Sequence, residues 1–226
     1  IEREKIMEKI FQIAIDGPGG AGKSTIAKKL AEILKIEYID TGAMYRAVTY
    51  ESIKRDITTP LEIADMAKSL SMEVTAETDG MHVLIEGTDI TSHLRTPEVS
   101  AKVSEIASIS AVREAMVSIQ RNIADKGGIV LDGRDIGTVV LPNADFKVFL
   151  TASVHKRAER RFKEFKTIYS DITLEEVEKE IEKRDWKDSH REVSPLRPAE
   201  DAVIIDNSDL TLEETAELLL HMVKNK

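Results

Sequence analysis

Short apolar runs alternate with helix-period segments along this chain. The two strongest helical patterns are Ser24–Leu34 and a stretch from about Ala43 to Lys54, and each follows an apolar run. An apolar run of this length bounded by turn residues is typical of a buried strand. Strands separated by helices predict a mostly parallel sheet covered by helices on both faces. The runs predicted as strands are Phe11–Asp16, Ile36–Asp40, Gly128–Asp132, Phe146–Ala152 and Ala202–Asn207.

The segment Met72–Thr91 breaks this alternation. It places Asp79-Gly80 between two β-like stretches, which is a hairpin signal. A helix is predicted near Leu61–Leu70 and helical stretches from about Pro97 to Asp125. The pattern therefore predicts one domain that carries a small antiparallel insert.

Two capping boxes mark helix starts in the C-terminal half. Thr173 precedes Glu176 by three residues, and Thr211 precedes Glu214 in the same way. In this motif the hydroxyl accepts a hydrogen bond from a backbone N–H while the glutamate reaches back to the cap residue. We expect one helix to begin at each site.

The composition is that of an ordinary soluble, globular enzyme or binding protein. The 226 residues are 42% hydrophobic and 32% charged, with no cysteine. No apolar run reaches the ~18 residues that cross a bilayer, and the charged first residues do not resemble a signal peptide. We therefore expect a cytoplasmic protein without a membrane segment.

The charge of the chain is acidic overall but unevenly distributed. A formal net charge of −9 argues against an extended nucleic-acid surface. A local basic cluster suits a small polyanion, although most of its lysines are expected on solvated helix faces. The basic cluster lies between Lys156 and Arg197, and its arginines are Arg157, Arg160, Arg161, Arg184, Arg191 and Arg197.

A phosphate-binding loop follows the first predicted strand. The segment from Gly17 to Ser24 fits G-x-x-x-x-G-K-[ST] between a strand and a helix. Glycines let successive N–H groups point at phosphate oxygens, and the helix directs its positive end there. Lys23 is expected to reach the β- and γ-phosphates, and Ser24 to ligate Mg²⁺. The predicted ATP-binding residues are Gly17, Pro18, Gly19, Gly20, Ala21, Gly22, Lys23, Ser24 and Thr25.

The loop alone leaves several functional classes open. A GTPase would carry a guanine-recognising Asn-Lys-x-Asp motif, but the only Asn-Lys pair is Asn225-Lys226 at the chain end. A motor or remodelling ATPase would usually have a longer chain, with further parts to which nucleotide hydrolysis is coupled. A small-molecule kinase and a slowly hydrolysing regulatory switch remain, and the dense set of arginines favours the kinase.

The stretch "DTGAMYR" follows the second predicted strand, at the sheet edge where ligands bind in open α/β folds. Thr41 and Gly42 are predicted to form a turn, with Tyr45 and Arg46 one helical turn further on. Arg46 fits either a bidentate phosphate contact or a surface position beside a helix cap.

The stretch "LDGRDIGT" ends another predicted strand. Asp132 is placed to bind Mg²⁺, directly or through water, beside the phosphate loop. Arg134 can face a second phosphate, and Asp135 offers an acceptor for an exocyclic amine. The alternative is a tight turn stabilised by Asp and Gly.

The stretch "RDWKDSHREVSPLRP" begins at the end of a capped helix. Arg184, Asp188 and Arg191 share one helical face if the helix persists that far. They form either a surface ion-pair network or a lid over phosphates and ribose. Arg157 and Arg161 are four residues apart and extend the second possibility.

Five stretches of the chain are distinctive: "IDGPGGAGKST", "DTGAMYRAVT", "RTPEVSAKVSEIASISAVREAM", "LDGRDIGTVVLPNADFKVFLTAS" and "SPLRPAEDAVIIDNSDL". In these stretches the chain resembles the bacterial cytidylate kinase family, and the resemblance extends from Ile13 to about Asn207. Adenylate kinases typically read Asp-Gly-Phe-Pro-Arg where this chain has Asp132-Gly-Arg-Asp-Ile. The resemblance implies a three-layer P-loop NTPase fold in which helices flank a five-stranded parallel sheet, with a small antiparallel β insert in the monophosphate-binding lobe. It also implies a single domain with a core over 11–42, 126–152 and 200–226, that lobe over about 43–125, and a helical lid over about 153–195.

The resemblance also implies roles for individual residues. Ser104, Arg113 and Asp135 would contact the cytosine, with Arg191 nearby. Asp188 and Arg184 would lie at the ribose hydroxyls and phosphate. The acceptor phosphate would be held by Arg46 and Arg134.

Two positions depart from the usual family pattern. Members often have serine where this chain has Thr41, which keeps the hydroxyl, and many have glycine where Ser24 stands. Mg²⁺ ligation by that second hydroxyl is therefore not essential to the family pattern.

The leading hypothesis is transfer of the ATP γ-phosphoryl group to CMP or dCMP by a monomer that uses Mg²⁺ and binds no nucleic acid. Another acceptor, such as UMP or AMP, is the nearest alternative. The residues expected to act in catalysis are Lys23, Asp132, Arg134, Arg157, Arg161 and Arg184. The residues expected to bind CMP are Asp40, Thr41, Tyr45, Arg46, Ser104, Arg113, Asp132, Arg134, Asp135, Arg184, Asp188 and Arg191.

Overall fold

The structure is a computed structural model that describes residues 11–77, 80–166 and 172–225. Within these ranges strands and helices alternate at the start and again near the end of the chain, as the apolar pattern predicts. The strands are β1 (Gln12–Asp16), β2 (Glu37–Asp40), β3 (Met72–Glu77), β4 (Gly80–Ile85), β5 (Thr88–Asp89), β6 (Ile129–Gly133), β7 (Phe146–Thr151) and β8 (Val203–Asp206). The helices are α1 (Lys23–Leu34), α2 (Thr41–Lys54), α3 (Pro60–Ser69), α4 (Pro97–Ile106), α5 (Ser110–Ala124), α6 (Val154–Lys166), α7 (Leu174–His190) and α8 (Leu212–Lys224).

Five strands of the described chain form one sheet in the order β2-β6-β1-β7-β8. Strand β1 pairs in parallel with β7, Asp16 opposite Phe149, and β7 pairs in parallel with β8. Parallel neighbours bring their carboxyl ends to one edge of the sheet. The predicted five-stranded parallel sheet flanked by helices is confirmed. None of the described helices is both long and apolar enough to span a bilayer.

The chain divides into two compact units. The first comprises the described residues up to Gln12 and the segment Ile36–Leu131. Its helix α2 packs against α3, α4 and α5, and buries the apolar side chains of Met44 and Val48. Strands β3, β4 and β5 form a separate antiparallel sheet in this unit.

The second unit comprises the described residues of Ile13–Lys35 and Asp132–Lys226. Helix α1 packs against α8, and α6 packs against α7 around the buried side chains of Ala158, Val177 and Ile181. Both predicted capping boxes are present, at the starts of α7 and α8. The further division into core, lobe and lid stays a prediction.

Two local expectations in the first unit can be compared with the described residues, and a third falls partly outside them. Thr41 and Gly42 do not form a turn, because Asp40 caps α2 by accepting a hydrogen bond from the Ala43 N–H and the helix begins at Thr41. The helical stretches predicted from about Pro97 to Asp125 are two helices, which Ile109 separates with an extended backbone. The turn at Asp79-Gly80 includes a residue outside the described ones.

The helix α7 ends at His190, and Arg191 follows it with an extended backbone. Arg184 and Asp188 therefore share a helix, whereas Arg191 does not continue it. The condition for all three to share one helical face, that the helix continues to Arg191, is therefore not met.

Candidate active site

The phosphate loop adopts a backbone that only glycine tolerates at three positions. Gly17, Gly20 and Gly22 have φ of 145°, 78° and 90°. A Cβ on Gly17 would lie 1.9 Å from the carbonyl oxygen of Leu150, so the loop passes directly over the end of β7. The turn between β1 and α1 therefore has the compact backbone that phosphate binding requires.

Lys23 lies buried at the first position of α1, and its Nζ donates a hydrogen bond to the carbonyl oxygen of Pro18 at 2.8 Å. Burial, followed by the positive charge of Arg134, lowers the pKa of Lys23 to about 7, while Asp132 opposes that shift. The amine is held inside the loop in a position where a phosphate can replace the carbonyl as its partner.

Ser24 and Asp132 meet beside this loop. The Ser24 hydroxyl donates a hydrogen bond to Oδ2 of Asp132 at 3.0 Å. A hydroxyl and a carboxylate are the oxygen ligands that Mg²⁺ takes together with phosphates and water. No group of three or more His, Cys, Asp or Glu side chains able to hold a metal occurs among the described residues. The Ser24 hydroxyl and the Asp132 carboxylate are thus two oxygen ligands that fit a divalent cation.

Asp16, which ends β1, contacts the segment that follows β6. Its two carboxylate oxygens accept hydrogen bonds from the backbone N–H groups of Ile136 and Gly137, each at 2.7 Å. Burial raises the pKa of Asp16 from 3.8 to about 6; these two hydrogen bonds oppose the rise, and Asp135 adds to it. Sequence reasoning gave this residue no role, although a buried carboxylate closing an apolar strand is an unusual feature.

Arg134 and Asp188 form an ion pair, with Nε and Oδ2 2.9 Å apart. Burial raises the pKa of Asp188, but the positive charges of Arg134 and Arg184 outweigh it and the net shift is downward. Arg191 is 4.0 Å from Asp135. In the second unit, ion pairs therefore join the segment after β6 to α7 and to the residue that follows it.

Arg157 is buried on α6 and holds the phosphate loop. Its Nη1 donates to the carbonyl oxygen of Gly19 at 3.2 Å and lies 2.7 Å from Oδ2 of Asp185. Its Nε donates to the carbonyl oxygen of Ala152. A guanidinium with these partners fixes the loop against α6 and α7, in addition to any role toward phosphate.

Arg161 and Arg184 line a small pocket together with Gly19 and Asp185. The pocket lies between helices α6 and α7 at the phosphate loop. The structure thus brings two of the predicted lid arginines to the loop.

A second set of contacts, which sequence reasoning missed, also supports the loop. Asn207 is fully buried after β8, and its Nδ2 donates to the carbonyl oxygen of Ala21 at 3.0 Å. Arg160 in turn donates to Oδ1 and to the backbone carbonyl of Asn207, at 3.1 and 2.9 Å. The available signal was the polar residue that ends a strand at the carboxyl edge of the sheet.

In the first unit, predicted acceptor residues gather at the start of α2. Arg46 lies 3.6 Å from Asp40, and the exposed Arg95, which sequence reasoning missed, lies 3.5 Å from the same carboxylate oxygen. A Cβ on Gly42 would approach Nη1 of Arg46 to 3.2 Å, so glycine leaves room for the guanidinium. Thr41 is buried beside them. These contacts place two arginines on one carboxylate.

Arg113 and Tyr45 also meet in the first unit. The guanidinium of Arg113 lies over the ring of Tyr45, 5.2 Å from its centroid, and donates to the carbonyl oxygen of Ala107 at 3.0 Å. Ser104 is half-buried on α4, which packs against the helix that carries Tyr45. Within the first unit, Tyr45 and Arg113 are therefore in contact.

Comparison with known proteins decides the family. A family model described as cytidylate kinase matches residues 13–225. The cytidylate kinase of Bacillus subtilis (strain 168) is 49% identical over 222 residues, which cover 97% of this chain and 99% of the relative. That of Desulforamulus reducens is 51% identical over 214 residues, covering 94% and 96%. The chain belongs to the cytidylate kinase family.

Membership in the cytidylate kinase family makes the chain an ATP-dependent nucleoside monophosphate kinase, as its motifs predict. A regulatory P-loop NTPase is not supported. The solved shikimate kinase from Acinetobacter baumannii, in complex with shikimate, covers 98% of this chain with a TM-score of 0.51 and 17% identity, and 97% of its own length is covered. That similarity supports the P-loop kinase fold of the cytidylate kinase chain.

Proposed function

We propose that this chain transfers the ATP γ-phosphoryl group to CMP or dCMP, giving CDP or dCDP and ADP. The observation that carries the proposal is the hydrogen bond between Ser24 and Asp132. It attaches the phosphate loop to the strand end from which Arg134 and Asp135 follow, so that donor-binding and acceptor-binding residues belong to one connected structure.

On the donor side, the backbone of residues 17–25 receives the ATP phosphates. Lys23 leaves the Pro18 carbonyl for a phosphate oxygen, because a charged acceptor makes a stronger hydrogen bond than a neutral one. Arg161 and Arg184, which line the pocket at Gly19, neutralise negative charge on the transferring group. Arg157 keeps the loop in place through its hydrogen bond to the Gly19 carbonyl oxygen.

Ser24 and Asp132 would hold Mg²⁺, Asp132 directly or through water. When bound with ATP, the ion neutralises charge on the phosphates and helps to orient them. Because Ser24 already contacts Asp132, no rearrangement of the backbone is needed to present both oxygens.

On the acceptor side, Arg46 and Arg134 bind the CMP phosphate. Both arginines face carboxylates, Asp40 and Asp188, and each can exchange that partner for a phosphate. The base is read by Ser104, Arg113 and Asp135, with Arg191 beside Asp135. Asp188, with Arg184, then faces the ribose hydroxyls, and the remaining acceptor residues Asp40, Thr41 and Tyr45 support this site.

The chemical step requires no general base. A phosphate oxygen of CMP, ionised near neutral pH, forms a bond to the γ-phosphorus, and the bond from that phosphorus to the β,γ-bridging oxygen breaks. The electron pair leaves with ADP. Catalysis therefore rests on orientation and on charge stabilisation by Lys23, Arg134 and the lid arginines.

We also infer a cytoplasmic monomer that binds no nucleic acid, in keeping with its small-molecule substrates and acidic charge. Gel filtration with light scattering would test this part of the proposal. A mass of about twice that of the 25.2 kDa chain would contradict it.

The test of the proposed function is the Arg134→Ala variant, assayed for ADP production with CMP. Losing a transition-state arginine should lower kcat by ~10³-fold or more, while circular dichroism shows an unchanged fold. Arg55→Ala is the matched control, because Arg55 contacts Glu51 and Glu86 away from these residues. Near-normal turnover of Arg134→Ala would remove its proposed role.

A further inference from the structure

We propose that Asp16 is a positioning residue that sets the acceptor specificity of this kinase through the backbone of Ile136 and Gly137. Asp16 does not touch the acceptor itself. It holds the segment whose preceding residues, Arg134 and Asp135, are proposed to bind the phosphate and the base of CMP. This inference rests on the proposed function of that segment.

The contact is bidentate and fully buried. Each carboxylate oxygen of Asp16 accepts one N–H group, from Ile136 and from Gly137, and only 3% of the residue surface is exposed. Two short hydrogen bonds to successive residues fix both the distance and the orientation of a peptide unit. These contacts therefore hold the backbone next to Asp135 against the end of β1.

The segment is also shaped to admit the carboxylate. A Cβ on Gly137 would lie 3.3 Å from Oδ2 of Asp16 and 3.2 Å from Cδ of Lys147, so a larger residue would press the segment against both. The carbonyl of Asp135 accepts the N–H groups of Val139 and Val140, which continues the same turn. Neither N–H bonded to Asp16 is used inside that turn.

Asp16 also adjoins the donor site. The next residue is Gly17, where the phosphate loop begins, and the backbone there approaches Leu150 so closely that a Cβ on Gly17 would meet its carbonyl oxygen. One carboxylate thus ties the first residue of the donor loop to the segment that reads the acceptor. This arrangement assigns Asp16 a role in acceptor choice, beyond a contribution to folding.

The test is internal competition between CMP and UMP with the Asp16→Asn variant. An amide retains one acceptor oxygen but directs N–H groups at a backbone N–H, so one of the two contacts is lost and the segment shifts. We expect the preference for CMP over UMP to fall by about tenfold or more, and KM for CMP to rise more than KM for ATP. A loss of folded protein alone would lower both rates equally and leave the ratio unchanged.

Two further variants make the result decisive. Gly137→Ala disturbs the same contact from the other side while it keeps the carboxylate, and it should also lower the CMP preference. Glu51→Gln removes another fully buried carboxylate, which contacts Lys54 and Arg55, and it should keep the wild-type ratio. Wild-type selectivity in both Asp16→Asn and Gly137→Ala would overturn the inference. Absence of CMP selectivity in the wild-type enzyme would instead refute the proposed function.

Discussion

Replacing Asp16 by asparagine should change how the stability of the second unit depends on pH. The buried carboxylate has its pKa raised from 3.8 to about 6, and burial is the main cause. In the folded chain it therefore binds a proton more tightly than in the unfolded chain. Stability from this group is highest when both states are protonated, falls as the pH rises from about 4, and levels off above about 6. Asparagine has no such titration.

The size of the effect follows from the two pKa values. A separation of 3.8 and about 6 corresponds to about 3 kcal/mol between the acid and neutral limits. Between pH 5 and pH 7.5, a little under half of that difference develops, on the order of 1 kcal/mol. Any constant effect of the substitution, including the lost hydrogen bond, cancels when only the change with pH is compared.

The assay is urea unfolding of wild type and Asp16→Asn, followed by far-ultraviolet circular dichroism at several pH values. We expect the unfolding free energy of the variant, relative to wild type, to rise by roughly 1 kcal/mol between pH 5 and 7.5. This is a shift of roughly half a molar in the urea midpoint. If the difference in unfolding free energy between the two proteins stays constant with pH, the reasoning is refuted. Such a result would mean that burial does not raise the pKa of the Asp16 carboxyl.

Three further predictions concern other residues of the second unit. Asn207→Ala removes the hydrogen bond to the Ala21 carbonyl, so steady-state kinetics should show KM for ATP raised about fivefold and KM for CMP little changed. Asn225→Ala, at the end of α8, is the control that should leave both KM values unchanged. Ser24→Ala should raise the Mg²⁺ concentration needed for half-maximal rate, measured by titrating Mg²⁺ at fixed ATP, and an unchanged requirement would argue against ligation by that hydroxyl. Thr173→Ala breaks the capping box of α7 and should lower the unfolding free energy by about 1 kcal/mol in urea denaturation.

The sheet could be predicted from sequence because each buried strand is a short apolar run bounded by turn residues. All five runs became strands, with no end displaced by more than one residue. The break between α4 and α5 was hidden, since neither glycine nor proline marks it and the apolar period continues through Ile109. The start of α2 was misjudged because Asp40 acts as a cap, which moves Thr41 and Gly42 into the helix.

The phosphate loop and the polar strand ends could be predicted because their residue types follow directly from phosphate chemistry. The residues that hold them could not. Asp16 and Asn207 act through backbone groups that are more than a hundred residues away in sequence, and no local pattern records such a partner. Arg157 was expected to contact phosphate. Its contacts with Gly19 and Asp185 depend on the packing of α6 and α7 against the loop, which the sequence pattern does not record.

The most direct test of the central claim is a competition among acceptors in one reaction. ATP labelled with ¹⁸O in its γ-phosphoryl group is mixed with Mg²⁺, enzyme and equal concentrations of CMP, dCMP, UMP, AMP and GMP, and the diphosphates are quantified by mass spectrometry at low conversion. We predict that the label appears in CDP and dCDP well ahead of every other diphosphate, and that Arg134→Ala abolishes it. Label that accumulates first in UDP, ADP or GDP, or in inorganic phosphate alone, would contradict the assignment of this chain as a kinase of CMP and dCMP.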